Sequence, residues 1–213
     1  MDTMSRRTVG TGRRRKTAVD EAAATRRRIL DAARALLREG RFQAASMEEI
    51  ADEAGLSRAG LYLHFRSRAA LIDAICETVD ESPELEALHE LVGAGDPRES
   101  LYRIITVNTR FWASEEAMFR QLYSSAAVDD AARDFVDRQT QDRSMGLSIL
   151  SQRLREAGHL RPGTPEKTAH AHLLLLTSFP TYVELRRNAG LAEQAIVRLL
   201  SDIADRNVLA PDS

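Results

Sequence analysis

The chain has 213 residues, 43% apolar and 29% charged, which is enough apolar side chain to bury a core and excludes a largely disordered chain. Eleven glycines, six prolines and 5% aromatics leave little of the turn punctuation and ring content of a β-sandwich or barrel, so the expected class is all-α. The net charge of −2 hides an asymmetry: residues 1–75 hold 15 Lys/Arg against 10 Asp/Glu, and residues 76–213 hold 15 against 22. A basic first part beside an acidic remainder points to a polyanion that meets the first part alone, with a solvated basic tail as the duller alternative. Cys76 has no second cysteine to pair with, the apolar run around Leu173–Leu176 is too short to span a bilayer, and no apolar segment follows the basic start. The expected setting is reducing and cytoplasmic, with no membrane partner.

Residues 1–24 carry Arg6, Arg7, Arg13, Arg14, Arg15 and Lys16 among Ser, Thr and Gly, and read as a disordered arm. From Thr25 onward Ile29, Ala32, Ala33, Leu36 and Leu37 form an amphipathic helical stripe that Gly40 ends. Ser46-Met47-Glu48-Glu49 has the form of a capping box and starts a short second helix ending near Ala54-Gly55. Ser57 caps a third helix to about Phe65, and Ser67 a fourth that carries Leu71, Ile75 and Val79 on one face. Ser82-Pro83 and Asp96-Pro97 place capping side chains before proline, Ser114 and Asp129 read as further caps, and Asp130–Glu156 reads as one helix closed by Gly158. Thr164-Pro165 opens another helix that runs into Pro180, where a kink or break is expected because proline has no amide proton to donate. A last helix follows Gly190. About nine helices result: a three-helix unit over 25–70, a helical domain over 71–208 and a disordered tail over 209–213.

The second and third helices are joined by Ala54-Gly55-Leu56, and the glycine permits the tight turn of a helix-turn-helix. Ile50, Ala51, Leu56 and Leu61 are spaced to lock the pair against the first helix, which leaves Arg58, Tyr62 and Gly60 facing outward. Arg58, just after the Ser57 cap, projects from the helix end that enters the major groove in this motif, where an arginine grips guanine or a phosphate. Tyr62 and His64 offer a flat body with a polar tip for a phosphate oxygen or a thymine methyl, and Arg66 and Arg68 flank the next helix start, where a phosphate is favoured. Singly, Tyr62 also reads as a boundary core residue, His64 as a solvated histidine and Arg58 as a surface arginine; their coincidence on one short helix beside a basic segment favours DNA.

The stretch Ile50–Leu71, IADEAGLSRAGLYLHFRSRAAL, resembles the DNA-binding domain of the tetracycline-repressor (TetR) family of bacterial transcription regulators in its AGLS turn, its LYxHF helix ending and its xSRxxL helix start. The resemblance spans Thr25 to about Ile75. It implies a homodimer that binds a near-palindromic double-stranded operator through paired recognition helices (about 57–65), usually represses, and is released by a small-molecule effector. It also implies that Ser46, Ser57, Arg58, Tyr62, His64 and Arg68 touch DNA; Gly60 and Arg66 complete the DNA-binding candidates. Leu63 stands where many members carry a second aromatic, and Gly60, where many carry Thr or Ser, costs the helix about 0.5–1 kcal/mol relative to alanine.

In the acidic remainder Leu173-Leu174-Leu175-Leu176 is apolar on every side and demands burial all round. Leu173 and Leu176, with Ile196, Leu199, Leu200 and Ile203 of the last helix, resemble the family's four-helix dimer interface; interior packing of a monomer is the alternative. Ligand candidates are Asn108, Trp112, Phe119, Tyr123, Phe135, Gln139, Met145, His172 and Phe179, rings and polar groups on apolar stripes that serve equally as plain core. His170 and His172, two apart, turn about 200° from each other on a helix and cannot share an ion. No catalytic constellation, phosphate loop, cofactor motif or metal site is evident. The expected protein is therefore a ligand-responsive DNA-binding repressor without cofactor or catalysis. Its rivals are a small-molecule-binding helical protein that has lost specific DNA recognition, suggested by Leu63 and Gly60, and a helical enzyme.

Overall fold

Helix starts fall largely where capping side chains lie in the sequence. The structure, a computed structural model, describes residues 9–80 and 83–211. It divides into two compact units, one ending at Ile75 and the other starting at Cys76. The first contains α1 (Val9–Arg38), α2 (Met47–Glu53), α3 (Arg58–His64) and the beginning of α4 (Arg68–Asp80). Ser46 Oγ accepts from the Glu49 amide at 3.1 Å while the Glu49 carboxylate accepts from the Ser46 amide at 2.6 Å, closing the capping box. The Ser46 backbone amide, and after it the Ser46 hydroxyl, hydrogen-bond to the Glu49 carboxylate and hold it below its ordinary pKa. Ser57 and Ser67 cap the next two helices in the same way, each accepting at 3.1 Å from the amide three residues on.

The turn between α2 and α3 is a Schellman motif. Gly55 at φ +66° donates to Asp52 O at 2.9 Å and Leu56 donates to Ala51 O at 2.9 Å, which satisfies two carbonyls of the last turn of α2. A side chain at φ +66° would strain the backbone, and glycine alone makes this turn without cost. Ile29, Leu36, Leu37, Phe42, Ile50, Ala51, Leu61, Phe65, Leu71 and Ile75 are all buried and form the core of this unit, with α1 packed on α2 and α2 on α3.

The amino-terminal segment departs from expectation. Helix α1 begins at Val9, not near Thr25, so residues 9–24 of the expected disordered arm are helical; residues 1–8, with Arg6 and Arg7, lie outside the described residues. Arg, Lys, Ala and Glu are good helix formers and no proline intervenes, so the helix propagates backward from the buried stripe through residues 19–24, which are exposed.

The second unit adds α5 (Pro83–Gly93), α6 (Pro97–Ser114), α7 (Glu116–Ser125), α8 (Asp130–Glu156), α9 (Glu166–Leu176), α10 (Phe179–Val183), a π-helical turn (Glu184–Asn188) and α11 (Glu193–Asn207). Asp96 and Asp129 cap α6 and α8 as expected, accepting at 2.9 and 3.1 Å. Ser114 and Thr164 do not cap: Ser114 Oγ donates back to Phe111 O, α7 starts after Glu115, and α9 starts after Pro165, neither with a side-chain cap. Ser82 lies outside the described residues. The break expected at Pro180 falls just ahead of it. Helix α9 stops at Leu176, Thr177 turns the chain, and Ser178 caps α10 with Pro180 in its first turn, where the missing amide proton costs nothing. This break divides one expected helix into two, and the described residues form eleven α-helices against the about nine expected.

Helix α6 packs on α5, α8 and α11, and α9 on α8 and α11, so α6 lies at the centre of the unit. The expected disordered tail is also corrected at its start. Leu209 is fully buried and pairs with Leu160 as an isolated antiparallel bridge, and the backbone of Ala210 donates to His159 O at 2.8 Å. Val208 and Leu209 bury too much apolar surface to be left in water. Among the described residues no helix is long and apolar enough to cross a membrane.

Candidate functional site

Helix α3 is anchored by Leu61 and Phe65, both buried, which fixes its rotation. Arg58, Ala59, Tyr62 and Leu63 are exposed, at spacings of one and four residues that make a single stripe; Leu63 is 86% exposed and Tyr62 39%. The Arg58 guanidinium lies 5.7 Å over the Tyr62 ring, a cation–π contact that holds the pair together on this face. Gly60 is half-buried and turned toward the cap: a Cβ there would stand 3.3 Å from Ser57 Oγ. His64 is half-buried at the end of the helix.

Ser46 and Ser57 are exposed at the starts of α2 and α3, and each hydroxyl oxygen accepts from a helix amide. Arg66 is exposed in the turn between α3 and α4. Arg68 is differently employed. Its guanidinium donates to the carbonyls of Phe42, Gln43 and Ala45 and lies 5.0 Å over the Phe42 ring, so it ties the loop ahead of Ser46 to the start of α4.

The acidic unit holds a cavity of about 230 Å³ between α5, α6 and α8, closed by Thr177 at the α9–α10 break. Its apolar wall comes from Leu85, Leu88 and Val92 of α5, Ile104, Phe111 and Trp112 of α6, and Leu147 of α8. Asn108 Nδ2 and Trp112 Nε1, one turn apart on α6, both donate to Thr177 O, at 2.7 and 3.0 Å. Gln139, Asp142 and Arg143 of α8 supply the polar lining together with His89, and Gly146 leaves room beside Val92. Behind Trp112 a cluster of rings, Phe111, Phe119, Phe135 and Phe179, packs at centroid distances of 4.7–5.8 Å, so the cavity backs onto a rigid floor.

Comparison with known proteins decides what this pairing of units is. Residues 29–75 match the family described as bacterial regulatory proteins, tetR family. An uncharacterized HTH-type transcriptional regulator of Mycobacterium tuberculosis is 32% identical over 170 residues, covering 78% of this chain and 81% of that protein. The chain belongs to the TetR family of bacterial regulators. It is a DNA-binding transcriptional regulator. The HTH-type transcriptional regulator UidR of Escherichia coli strain K12 is 49% identical to it over 55 residues, covering 26% of this chain and 28% of UidR. Among solved structures, NalD, the secondary repressor of the MexAB-OprM multidrug efflux pump in Pseudomonas aeruginosa, aligns at TM-score 0.67 and 24% identity over 89% of this chain and 98% of its own. A regulator from Saccharomonospora viridis in complex with choline aligns at 0.66 and 22%, over 89% and 100%. At those identities the structures share the TetR fold.

Set against the sequence expectations, the TetR unit brings Ser57, Arg58 and Tyr62 to one end and face of α3, with Ser46 exposed at the start of α2. It turns Gly60 inward from that face, leaves His64 half-buried and engages Arg68 in the fold. Ala59, at the same face, was not singled out by the sequence, since a lone alanine carries no chemical signal; Leu63 entered only as a departure from the family pattern. Of the ligand candidates, Asn108, Trp112 and Gln139 line the cavity. Phe119, Phe135 and Phe179 lie buried in the ring cluster, Tyr123 stacks against Phe179 at 5.0 Å, Met145 is 62% exposed and His172 is half-buried away from the cavity lining. The cavity residues that went unnoticed, Leu85, Leu88 and Val92, are an ordinary i, i+3, i+7 stripe, and Arg143 reads in the sequence as one more charge on a charged helix. Of the interface candidates, Leu173, Leu176, Ile196 and Leu200 are buried within the single chain, which takes them off any free surface; Leu199 and Ile203 are half-buried, and Leu175 is 63% exposed. Among the described residues no group of three or more His, Cys, Asp or Glu side chains could hold a metal ion.

Proposed function

We propose that this TetR-family regulator is a homodimeric, cytoplasmic repressor without catalysis or cofactor, which binds a near-palindromic operator and releases it when a small molecule occupies the cavity of its acidic unit. Residues 25–70 act as the DNA-binding domain and 71–208 as the effector and dimer domain. The observation that carries the reading is the exposed stripe of α3, whose Arg58 and Tyr62 stand on a helix anchored from behind by Leu61 and Phe65. A helix so mounted presents its N-terminal residues to the base edges of a major groove, Arg58 to guanine or a phosphate and Tyr62 to a phosphate or a thymine methyl. Ser46 and Ser57 donate to phosphates that also face helix N-termini, with Arg66, His64 and Gly60 bordering the contact. The arginines of residues 1–28 add attraction to DNA that is independent of sequence.

Release follows from linkage: an effector that prefers the conformation with low operator affinity must lower that affinity by the factor by which DNA lowers its own binding. The cavity supports this reading by its apolar lining with a few convergent polar groups. The deciding experiment is a footprint on DNA from upstream of the protein's own gene. Wild-type protein is expected to protect a near-palindrome whose preference survives rising salt, and Arg58→Ala and Tyr62→Ala each to lose about tenfold or more. Equal protection by both variants would remove α3 as the reading helix; a salt-sensitive binding with no sequence preference would favour a ligand-binding protein that no longer recognises an operator.

A further inference from the structure

Arg143 of α8 stands among the polar groups that interrupt the cavity's largely apolar lining. Arg143 is half-buried on α8, and one guanidinium nitrogen donates to Leu174 O at 2.9 Å and to Thr177 Oγ1 at 3.0 Å. Both acceptors are neutral. Among the described residues no carboxylate stands within ion-pair distance of it, and its other N–H groups make no hydrogen bond. Burial pulls the Arg143 pKa down, with only the Tyr123 phenol opposing it. Asp142, the next residue along α8, also reaches the lining but is exposed, where water screens it. A half-buried cation without a counterion is costly to keep, and the missing partner belongs in the space it faces.

We propose that the cavity takes a small amphipathic anion, a monocarboxylate whose carboxylate pairs with Arg143 and whose apolar body lies against Phe111, Trp112 and Leu88. This rests on the reading of the cavity as the effector site. Planar, forked guanidinium groups match carboxylates bidentately, and Gln139, one turn earlier on the same face of α8, brings an amide to the same end of the space. The volume sets the size. A cavity of about 150 Å³ accommodates benzene, so 230 Å³ holds about nine non-hydrogen atoms, the size of benzoate. A cation of that size would face Arg143 across a poorly screened gap, and a neutral molecule would leave the guanidinium uncompensated.

The test uses the full chain, with thermal shift and calorimetric titration of benzoate, benzyl alcohol and benzylamine, and the operator complex in parallel. Benzoate is expected to raise the melting temperature and to bind about ten- to a hundredfold more tightly than benzyl alcohol, with benzylamine weakest. Arg143→Met should abolish that preference, bringing benzoate down to the affinity of benzyl alcohol or below. Arg143→Lys, which keeps the charge without the fork, should retain part of it. If Arg143→Met fails to fold, the ranking of the three probes on wild-type protein decides alone. Equal binding of the three, a preference for benzylamine, or no shift with benzoate overturns the proposal. Benzoate that binds without weakening the operator complex supports the anion site and removes the effector reading; benzylamine that binds best and releases the operator does the reverse.

Discussion

Arg68 lies with its guanidinium 5.0 Å above the ring of Phe42 and donates to the Phe42 carbonyl, so one side chain engages both the ring and the backbone of the loop that leads into α2. Phe42 is fully buried, and the loop carbonyls of residues 42, 43 and 45 have in Arg68 a shared charged donor. Arg68→Ala is therefore expected to destabilise the amino-terminal unit by about 2–3 kcal/mol, with Arg68→Lys recovering only part because a single ammonium cannot serve three carbonyls and a ring. Urea unfolding measures this. An Arg68→Ala protein with wild-type stability that no longer binds its operator would instead make Arg68 a DNA contact.

Gly60 and Ser57 oppose each other through one atom. The Ser57 hydroxyl caps α3 by accepting from Gly60 N at 3.1 Å, and the same oxygen would stand 3.3 Å from a Cβ at position 60. Alanine at 60 gains helix propensity of about 0.5–1 kcal/mol, while displacing the cap costs about 1 kcal/mol. Gly60→Ala alone should leave stability nearly unchanged. In a Ser57→Ala background, where the oxygen is gone, Gly60→Ala should stabilise by the full helix-propensity gain. Additive effects in this double-mutant cycle would show that the cap does not feel residue 60.

Leu63, 86% exposed, is the most exposed large apolar side chain among the described residues of the first unit, on the same stripe as Arg58 and Tyr62. Because it buries nothing, Leu63→Ala should change folding stability by less than about 0.5 kcal/mol. Operator affinity should nevertheless fall, and most at sites carrying a thymine whose methyl the leucine would meet. Binding curves on operator variants with each thymine replaced by uracil measure this; a Leu63→Ala protein indistinguishable from wild type on all of them would exclude Leu63 from the interface.

Much of this was legible in the residues. Ser46, Ser57, Asp96 and Asp129 mark helix starts because each cap is a local event within four residues, and Gly55 marks its turn because its φ leaves no other choice. Ser114 and Thr164 misled because the capping type without the capping geometry looks the same in sequence. The site divided similarly. Arg58 and Arg68 are both arginines near a helix start, and only tertiary contacts to Phe42, Gln43 and Ala45 separate a side chain bound across its own fold from an exposed one that rests on its neighbour Tyr62. The cavity was least legible, since it lies where α5, α6 and α8 fail to fill the space between them, and no single segment encodes a gap.

The wall of that gap depends on one carbonyl. Thr177 O receives both Asn108 Nδ2 and Trp112 Nε1, which pins the end of α9 to α6 in a buried setting. Asn108→Leu and Trp112→Phe should each cost about 1–2 kcal/mol, because the carbonyl keeps one donor in either case. The double variant orphans it and should lose more than the two single losses together. Thermal unfolding of the four proteins reads the coupling, and strict additivity would mean that the carbonyl finds another donor.

The acidic unit exposes Met145 and Ile149, one turn apart on α8, and Leu175 on α9, which packs against α8; Leu199 and Ile203 of α11 are half-buried. Leu173, Leu176, Ile196 and Leu200 already serve the interior, so a second copy of the chain would cover the opposite sides of the same helices. Leu175→Asp should then leave the monomer folded, since it removes no interior contact, yet shift sedimentation toward the monomer and weaken operator binding by losing the second half-site. Ile203→Asp should act alike. Val128, 86% exposed between α7 and α8, supplies the control: Val128→Asp places the same charge on the same unit and should sediment and bind DNA as wild type. Were Leu175→Asp and Val128→Asp proteins to behave identically, the α8–α9–α11 surface would not be the dimer face, because the substituted charge at Leu175 could not be buried against a partner without a penalty of several kcal/mol.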